Sequence, residues 1–289
     1  MQTIKKILYA IDLSKPPGLL LSLGVNLCLR FDASFQVFYS IPPPWGSVDR
    51  QVEFARGGEK KEKIKAAQEK IKELMKEFDV EWESVITHGD PVLEVEKASQ
   101  KAEADLIVAA SLGLSWFQQL FTGSVIGDMA KTVRKPFLVI PPGKSDFDTA
   151  RPKPEFFNIV IACSLAPSDA DLMEYASLFS EKFKSEICLI HVMESPLYET
   201  VMAGTSGHYE DTQRLLEETL SLRLKSLMPF ETRILHGVPG EELFRYAKHH
   251  GTDLIIAGVD DRPGRIITPT TAALIRHLPC AVLTVPVKA

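Results

Sequence analysis

The sequence has no GxxxxGK[ST] phosphate loop, no HExxH and no GxSxG. Their absence excludes a lysine-armed P-loop, a zincin-type metal site and a nucleophile elbow. No CxxC pair occurs either, and the four cysteines, Cys28, Cys163, Cys188 and Cys280, each stand in an apolar run. They read as buried thiols in a reducing compartment. No His, Cys and Asp cluster has zinc-site spacing, so no metal site is expected among the side chains. Positive charge is scarce: 33 Lys and Arg face 38 Asp and Glu, a net charge of −5. That balance speaks against a nucleic-acid-binding face. It leaves room for a small anion, which backbone N–H groups hold without net positive charge. Long apolar runs are missing too. LLLSLGVNLCLRF is too short to span a bilayer, and the N-terminal MQTIKKILYAIDLS has no signal-peptide core. A cytoplasmic chain with no membrane partner is expected.

What the sequence does have is a copy of itself. IKKILYAIDLS near the start matches FFNIVIACSLA, which sets Ser164 against Asp12 at an offset of 152. THGDPVLEVEKASQKAEADLIVAA matches LHGVPGEELFRYAKHHGTDLIIAG, pairing His88 with His236 and Asp105 with Asp253 at an offset of 148. FLVIPP matches VLTVPV at an offset of 145. Three matches in one order define a tandem repeat. Residues 1–142 and 156–289 read as two domains, and the polar, proline-bearing 143–155 as their linker.

Each half alternates strand-like and helix-like runs. ILYAI, FQVFYSI, WESVITH, LIVAA and FLVI are the strands of the first half, and their counterparts recur in the second. The wholly apolar LIVAA, LIIAG and FLVI suit strands buried on both faces. Each half is therefore expected to be α/β, a five-stranded doubly wound parallel sheet. The charged helix EKKEKIKAAQEKIKELMKEF should bury Ile64, Ile71, Leu74, Met75 and Phe78 and leave its lysines solvated. Ligands of such sheets bind beyond the carboxyl ends of the strands, where strand order reverses.

Two features meet at that edge. Strand 1 ends in Ala10-Ile11-Asp12, and strand 2 near Ser40-Ile41. Strand 4 opens at Ala110-Ser111 into ASLGLSWFQQLFTGSV, with Gly113, Gly123, Ser124 and Val125 before the next helix. A carboxylate at one end accepts from ribose hydroxyls or a base amino group. Backbone N–H groups and a helix N-terminus at the other end suit phosphates. The competing reading makes Asp12 a helix cap and the glycines a tight turn.

This pattern resembles the universal stress protein family over essentially both halves. Its nucleotide-binding members carry G-x2-G-x9-G-[S/T] after strand 4 and an Asp closing strand 1. Here Gly113 and Gly123 are separated by nine residues, Ser124 follows, and Asp12 stands at the family's Asp. Ala110 replaces the first glycine: a methyl group is added where the backbone approaches the ligand and positive φ becomes costly, so weakened binding is expected. The resemblance implies two tandem Rossmann-like (HUP-type) domains that pair through their last strands, with a homodimer as a further assembly. It implies ATP or AMP as ligand, with Mg²⁺ on the phosphates, and nucleotide contacts from Ala10, Asp12, Ser40, Ile41, Ala110, Ser111, Gly113, Gly123, Ser124 and Val125. No general catalytic reaction goes with the family, so a non-enzymatic stress-response protein is expected. Slow ATP hydrolysis is the one activity left open.

The second copy of the loop, GVDDRPGRIITPTTA, departs from the pattern. Asp261 takes the second glycine's place, Thr268-Pro269 replaces Gly123-Ser124, and Ser164 replaces Asp12. A carboxylate repels phosphate and proline has no N–H to give. The second half is expected not to bind nucleotide in this way, and Arg262 and Arg265 read either as a lure for some other anion or, equally, as solvated loop charges. His88 and His236 read as solvated turn residues, and His249-His250 as complements to a helix C-terminus. The alternative function is an interaction or scaffold module with both sites vestigial, motivated by Ala110 and by the apolar loops PPPWGSV and SWFQQLF.

Overall fold

The computed structural model describes residues 3–13, 18–41, 57–110, 125–141, 156–194, 231–262 and 267–288. They form two compact units, one built from residues 4–135, the other from 136–141 and the chain from 156 onward.

The first unit runs β1 (Lys6–Ala10), α1 (Gly18–Phe31), β2 (Ser34–Ile41), α2 (Gly57–Met75), β3 (Trp82–His88), α3 (Pro91–Ala102), β4 (Leu106–Ala110) and α4 (Val125–Thr132). Its strands pair in parallel in the order β3-β2-β1-β4. The order reverses between β1 and β4, which is the crevice the sequence pointed to. Apolar run and burial agree: Leu106, Ile107 and Val108 are fully buried. Gly24 brings α1 against β1, because a Cβ there would lie 2.6 Å from Tyr9 Cδ2.

The second unit runs β5 (Phe137–Ile140), β6 (Asn158–Cys163), α5 (Asp169–Phe183), β7 (Glu186–Met193), β8 (Glu231–His236), α6 (Pro239–His249), β9 (Leu254–Asp260), α7 (Pro269–His277) and β10 (Ala281–Val287). Five strands are parallel in the order β10-β9-β6-β7-β8. β5 adds antiparallel to β10, with Leu138 opposite Leu283. The last strand of the first repeat thus belongs to the compact unit of the second.

The repeated aspartates are structural. Asp105 Oδ2 accepts the N–H groups of Lys5 and Lys6 at 2.8 and 2.9 Å. Asp253 Oδ2 does the same for Phe157 and Asn158, both at 2.9 Å. Each ties the start of one central strand to its neighbour and sets the parallel register. In α2, Ala67, Ile71 and Met75 face the core, while Ile64, Leu74 and Phe78 are half-buried. Phe78 stands beyond the helix, which stops at Met75. No helix among the described residues is long and apolar enough to cross a membrane.

Candidate functional site

Parallel pairing aligns the carboxyl ends of the first unit's strands. Ala10 is level with Phe38 on β2 and Ala109 on β4, and Ser40 is level with Thr87 on β3. Ile11 N–H donates to the Phe38 carbonyl at 2.9 Å, so the β1 alignment continues past the strand. Asp12 then falls in one row with Ser40 and Thr87. Asp12 is 5% exposed and Ser40 7%. The Asp12 charge is felt on β2: burial, and then the Asp12 carboxylate, push the Tyr39 phenol up from its ordinary value. Lys70 of α2 donates from Nζ to the carbonyl of Leu13, beside Asp12.

The β2 and β3 ends are tied together. Ser40 Oγ donates to the Gly89 carbonyl at 3.0 Å, and Gly89 N–H donates to the Ile41 carbonyl at 3.1 Å. Gly89 has φ +152°, which side chains rarely adopt. Asp90 then caps α3 by accepting from Val92 N–H at 2.8 Å. Thr87 Oγ1 is shielded from solvent and has no hydrogen-bond partner.

Of the sequence-derived candidates, Ala10, Asp12, Ser40 and Ile41 come together at this edge, and Ala110 closes β4 beside them. Val125 is the first residue of α4. Ser111, Gly113, Gly123 and Ser124 lie outside the described residues, as do PPPWGSV and SWFQQLF. Ala110 continues the extended backbone of β4 and is not among the positive-φ residues. The left-handed strain expected from replacing a glycine is therefore absent. Gly258, at the equivalent place, has a packing reason: a Cβ there would lie 3.3 Å from Val287 Cγ2 on β10.

The second unit's edge is filled by its own residues. Asp169, the first residue of α5, is 5% exposed. Its Oδ1 accepts from Ser164 Oγ at 2.9 Å and Ser164 N–H at 3.2 Å, and its Oδ2 takes the Cys163 thiol at 3.0 Å. Burial, and then the Asp169 charge, push the Cys163 thiol well above its ordinary range. Sequence reasoning saw a carboxylate lost at Ser164. It missed Asp169 because the carboxylate arrives five residues later, from the helix. His191 Nδ1 sits 3.0 Å from the Cys163 carbonyl. Thr268 caps α7 by accepting from Thr271 N–H at 3.2 Å, ahead of Pro269. Arg262 is exposed, as expected of a solvated loop charge, and is also ion-paired: its Nε lies 2.9 and 2.8 Å from the two Asp260 oxygens. His236, by contrast, is half-buried. Its Nδ1 is shielded, and burial lowers its pKa. His88 is half-buried at the matching strand end. His250 follows α6, stacked on Tyr246 at 3.9 Å and with Nδ1 3.0 Å from the Tyr246 carbonyl.

The arrangement defines a doubly wound α/β protein whose first unit keeps Asp12, Ser40 and Thr87 at its carboxyl edge and whose second unit turns the Asp169 carboxylate onto Ser164 and Cys163. The model of the universal stress protein family matches residues 3–141 and again 155–286. The chain belongs to that family, as a tandem of two copies. A universal stress protein of Methanocaldococcus jannaschii is 26% identical over 130 residues, covering 43% of this chain and 74% of its own. The solved structure of a universal stress protein from Archaeoglobus fulgidus DSM 4304 shares the fold, with a TM-score of 0.66 at 19% identity, over 99% of this chain and 97% of that one. A functionally unknown protein of Pseudomonas aeruginosa PAO1 superimposes with a TM-score of 0.64 at 16% identity, over 98% of this chain and 93% of its own.

Proposed function

We propose that the first half of the chain binds one adenine nucleotide, ATP or AMP, across the carboxyl ends of β1, β2 and β4. The protein then acts in a stress response as a nucleotide-dependent binding protein rather than an enzyme. The observation that carries this reading is Asp12, a buried carboxylate at the reversal of strand order, one strand from the chain that enters the glycine pattern. Asp12 accepts hydroxyl or amino hydrogens of the nucleoside. Ala110, Ser111, Gly113, Gly123, Ser124 and Val125 carry the phosphates through backbone N–H groups and the start of α4. Each N–H bond to a charged oxygen contributes about 1.5–3 kcal/mol. No group of three His, Cys, Asp or Glu among the described residues suits a metal. Any Mg²⁺ that accompanies the nucleotide rides on its phosphates with mostly water ligands. The closed second half, domain 156–289 beyond the 143–155 linker, serves as a built-in partner to domain 1–142, and two chains associate as a cytoplasmic homodimer.

Calorimetry with ATP on nucleotide-stripped protein tests this. Saturable binding at one nucleotide per chain is expected. The Gly123→Thr, Ser124→Pro variant, which copies the second half, should abolish it. No saturable heat at millimolar ATP refutes the reading and leaves the interaction-module alternative.

A further inference from the structure

A lysine ammonium is strongly hydrated, and an exposed lysine gives up rotamer freedom when it settles on one partner. On α2, Lys61, Lys63 and Lys72 are exposed, and Lys65 reaches Glu69 on its own helix at 4.0 Å. Lys70 is exposed as well, yet its Nζ leaves the helix and donates to the Leu13 carbonyl. Its place on the helix explains the reach. Lys70 stands three residues after the buried Ala67 and one before the buried Ile71, so it borders the core-facing stripe. Leu13 is itself 6% exposed. A charged donor makes a stronger bond to a carbonyl than a neutral one does.

The bond closes a bracket around Asp12. On one side, Ile11 N–H donates to the Phe38 carbonyl at 2.9 Å and continues the β1–β2 pairing. On the other side, the Leu13 carbonyl is held by α2. With both neighbours fixed, the backbone of Asp12 has little freedom left to lose. The second half holds the equivalent position by other means. There Asp169, from α5, takes the N–H and the hydroxyl of Ser164, the counterpart of Asp12. That tie occupies the side chain at the position itself. The Lys70 tie falls on a main-chain carbonyl one residue on, so it fixes position 12 without using the side chain there.

We infer that Lys70 is a positioning residue of the first half: it pins the exit of β1, so that Asp12 meets the nucleoside already in place. The inference rests on the nucleotide reading above and adds α2 to the elements that build the site. Lys70 acts through Asp12, and therefore on the nucleoside. Its effect is the same whether the ligand carries no phosphate or three. Without the pin, the ligand has to order the Asp12 segment as it binds, and affinity falls.

The test compares the full chain with Lys70→Met, which keeps an unbranched side chain and removes the donor, and Lys70→Arg, which keeps a charged donor. Hydrogen exchange at the Asp12 and Leu13 amides is read first, on the ligand-free chains. Lys70→Met should speed it about tenfold or more, and Lys70→Arg should stay near the wild type. Calorimetry with adenosine, AMP and ATP follows. Lys70→Met should weaken all three by one factor, about five- to thirtyfold, equivalent to fixing the backbone of one residue on binding. Lys70→Arg should recover most of the loss. By circular dichroism, ligand-free Lys70→Met should melt within about 4 °C of the wild type, because the side chain is exposed. Wild-type exchange rates in Lys70→Met overturn the inference, whatever the chain binds. Wild-type affinities in Lys70→Met overturn it and leave the nucleotide reading intact. So does a loss that grows from adenosine to ATP, which places the ammonium on the phosphates. A larger fall in melting temperature also overturns it, by showing that the tie serves the fold. A wild-type chain that binds none of the three overturns both readings.

Discussion

Replacing Asp169 with alanine tests whether the second crevice is closed by its own carboxylate. The carboxylate accepts two hydrogens from Ser164 and one from the Cys163 thiol. Hydrogen bonds to a charged group contribute about 1.5–3 kcal/mol, but Ser164 is exposed and water replaces part of what it loses. Cys163 is buried and water cannot reach it as easily. The first-turn charge on α5 adds roughly 0.3–1 kcal/mol through the helix dipole. The expected loss is about 2–3 kcal/mol, or roughly 8–12 °C for a unit of this size. Asp169→Asn keeps an oxygen for Ser164 and should lose about half as much. Ser164→Asp sets a second carboxylate against the first and should destabilise, whereas Ser164→Asp with Asp169→Ser should recover stability. The assay separates the halves. All three tryptophans, Trp45, Trp82 and Trp116, lie in the first repeat, so their fluorescence follows that half while circular dichroism follows both. A shift below about 2 °C for Asp169→Ala, or destabilisation read first in tryptophan fluorescence, refutes the account.

Ala110→Gly should change ATP affinity by no more than about threefold, under about 0.7 kcal/mol, because the β4 backbone is already extended there. A gain of tenfold or more in calorimetry would show that the methyl group obstructs the ligand. Burial raises the pKa of all four thiols, Cys28, Cys163, Cys188 and Cys280. A disulfide reagent at pH 8 should therefore find no fast-reacting thiol in the native chain and four after denaturation. One equivalent reacting at the rate of free cysteine contradicts this. His236 has its pKa lowered from 6.5 by burial, so the folded chain binds its proton less readily than the unfolded one. Its contribution to stability is constant above pH 6.5 and falls as pH drops from there toward the lowered value. His236→Gln should flatten that acid-side slope in urea melts, and an unchanged slope counts against the burial cause.

Much of the fold was legible because periodicity and repetition state it directly. Leu106, Ile107, Val108 and Ala109, and their counterparts Leu254, Ile255, Ile256 and Ala257, are buried as their composition requires, and the Asp105 and Asp253 match is a register device. What stayed hidden depends on contacts between residues distant in sequence, or on direction in space. Nothing in SLAPSDADL says that the Asp169 carboxylate folds back onto Ser164. Nor does VDDRPGR say that the solvent-exposed Arg262 pairs with Asp260.

The first position of the glycine pattern differs between the halves, and local geometry bears on both residues. Ala110 departs from the pattern, but its extended backbone has no need of positive φ. Gly258 keeps the glycine, and Val287 leaves little room for a side chain there. A glycine pattern is therefore a weak witness when read alone. The polar row is a stronger one. Changing Thr87, Ser40 and Asp12 into Leu235, Val192 and Ser164 removes hydrogen-bonding side chains at two strands in register and the charge at the third. Fold stability alone does not require a polar row, because the second unit forms the same parallel pairings with aliphatic residues. The two halves differ at their strand ends as the proposed nucleotide site requires. The first half keeps hydroxyls and a carboxylate there. The second half replaces two of these with aliphatic side chains and neutralises the third position with a serine. It then uses its remaining carboxylate, Asp169, to satisfy that serine from within.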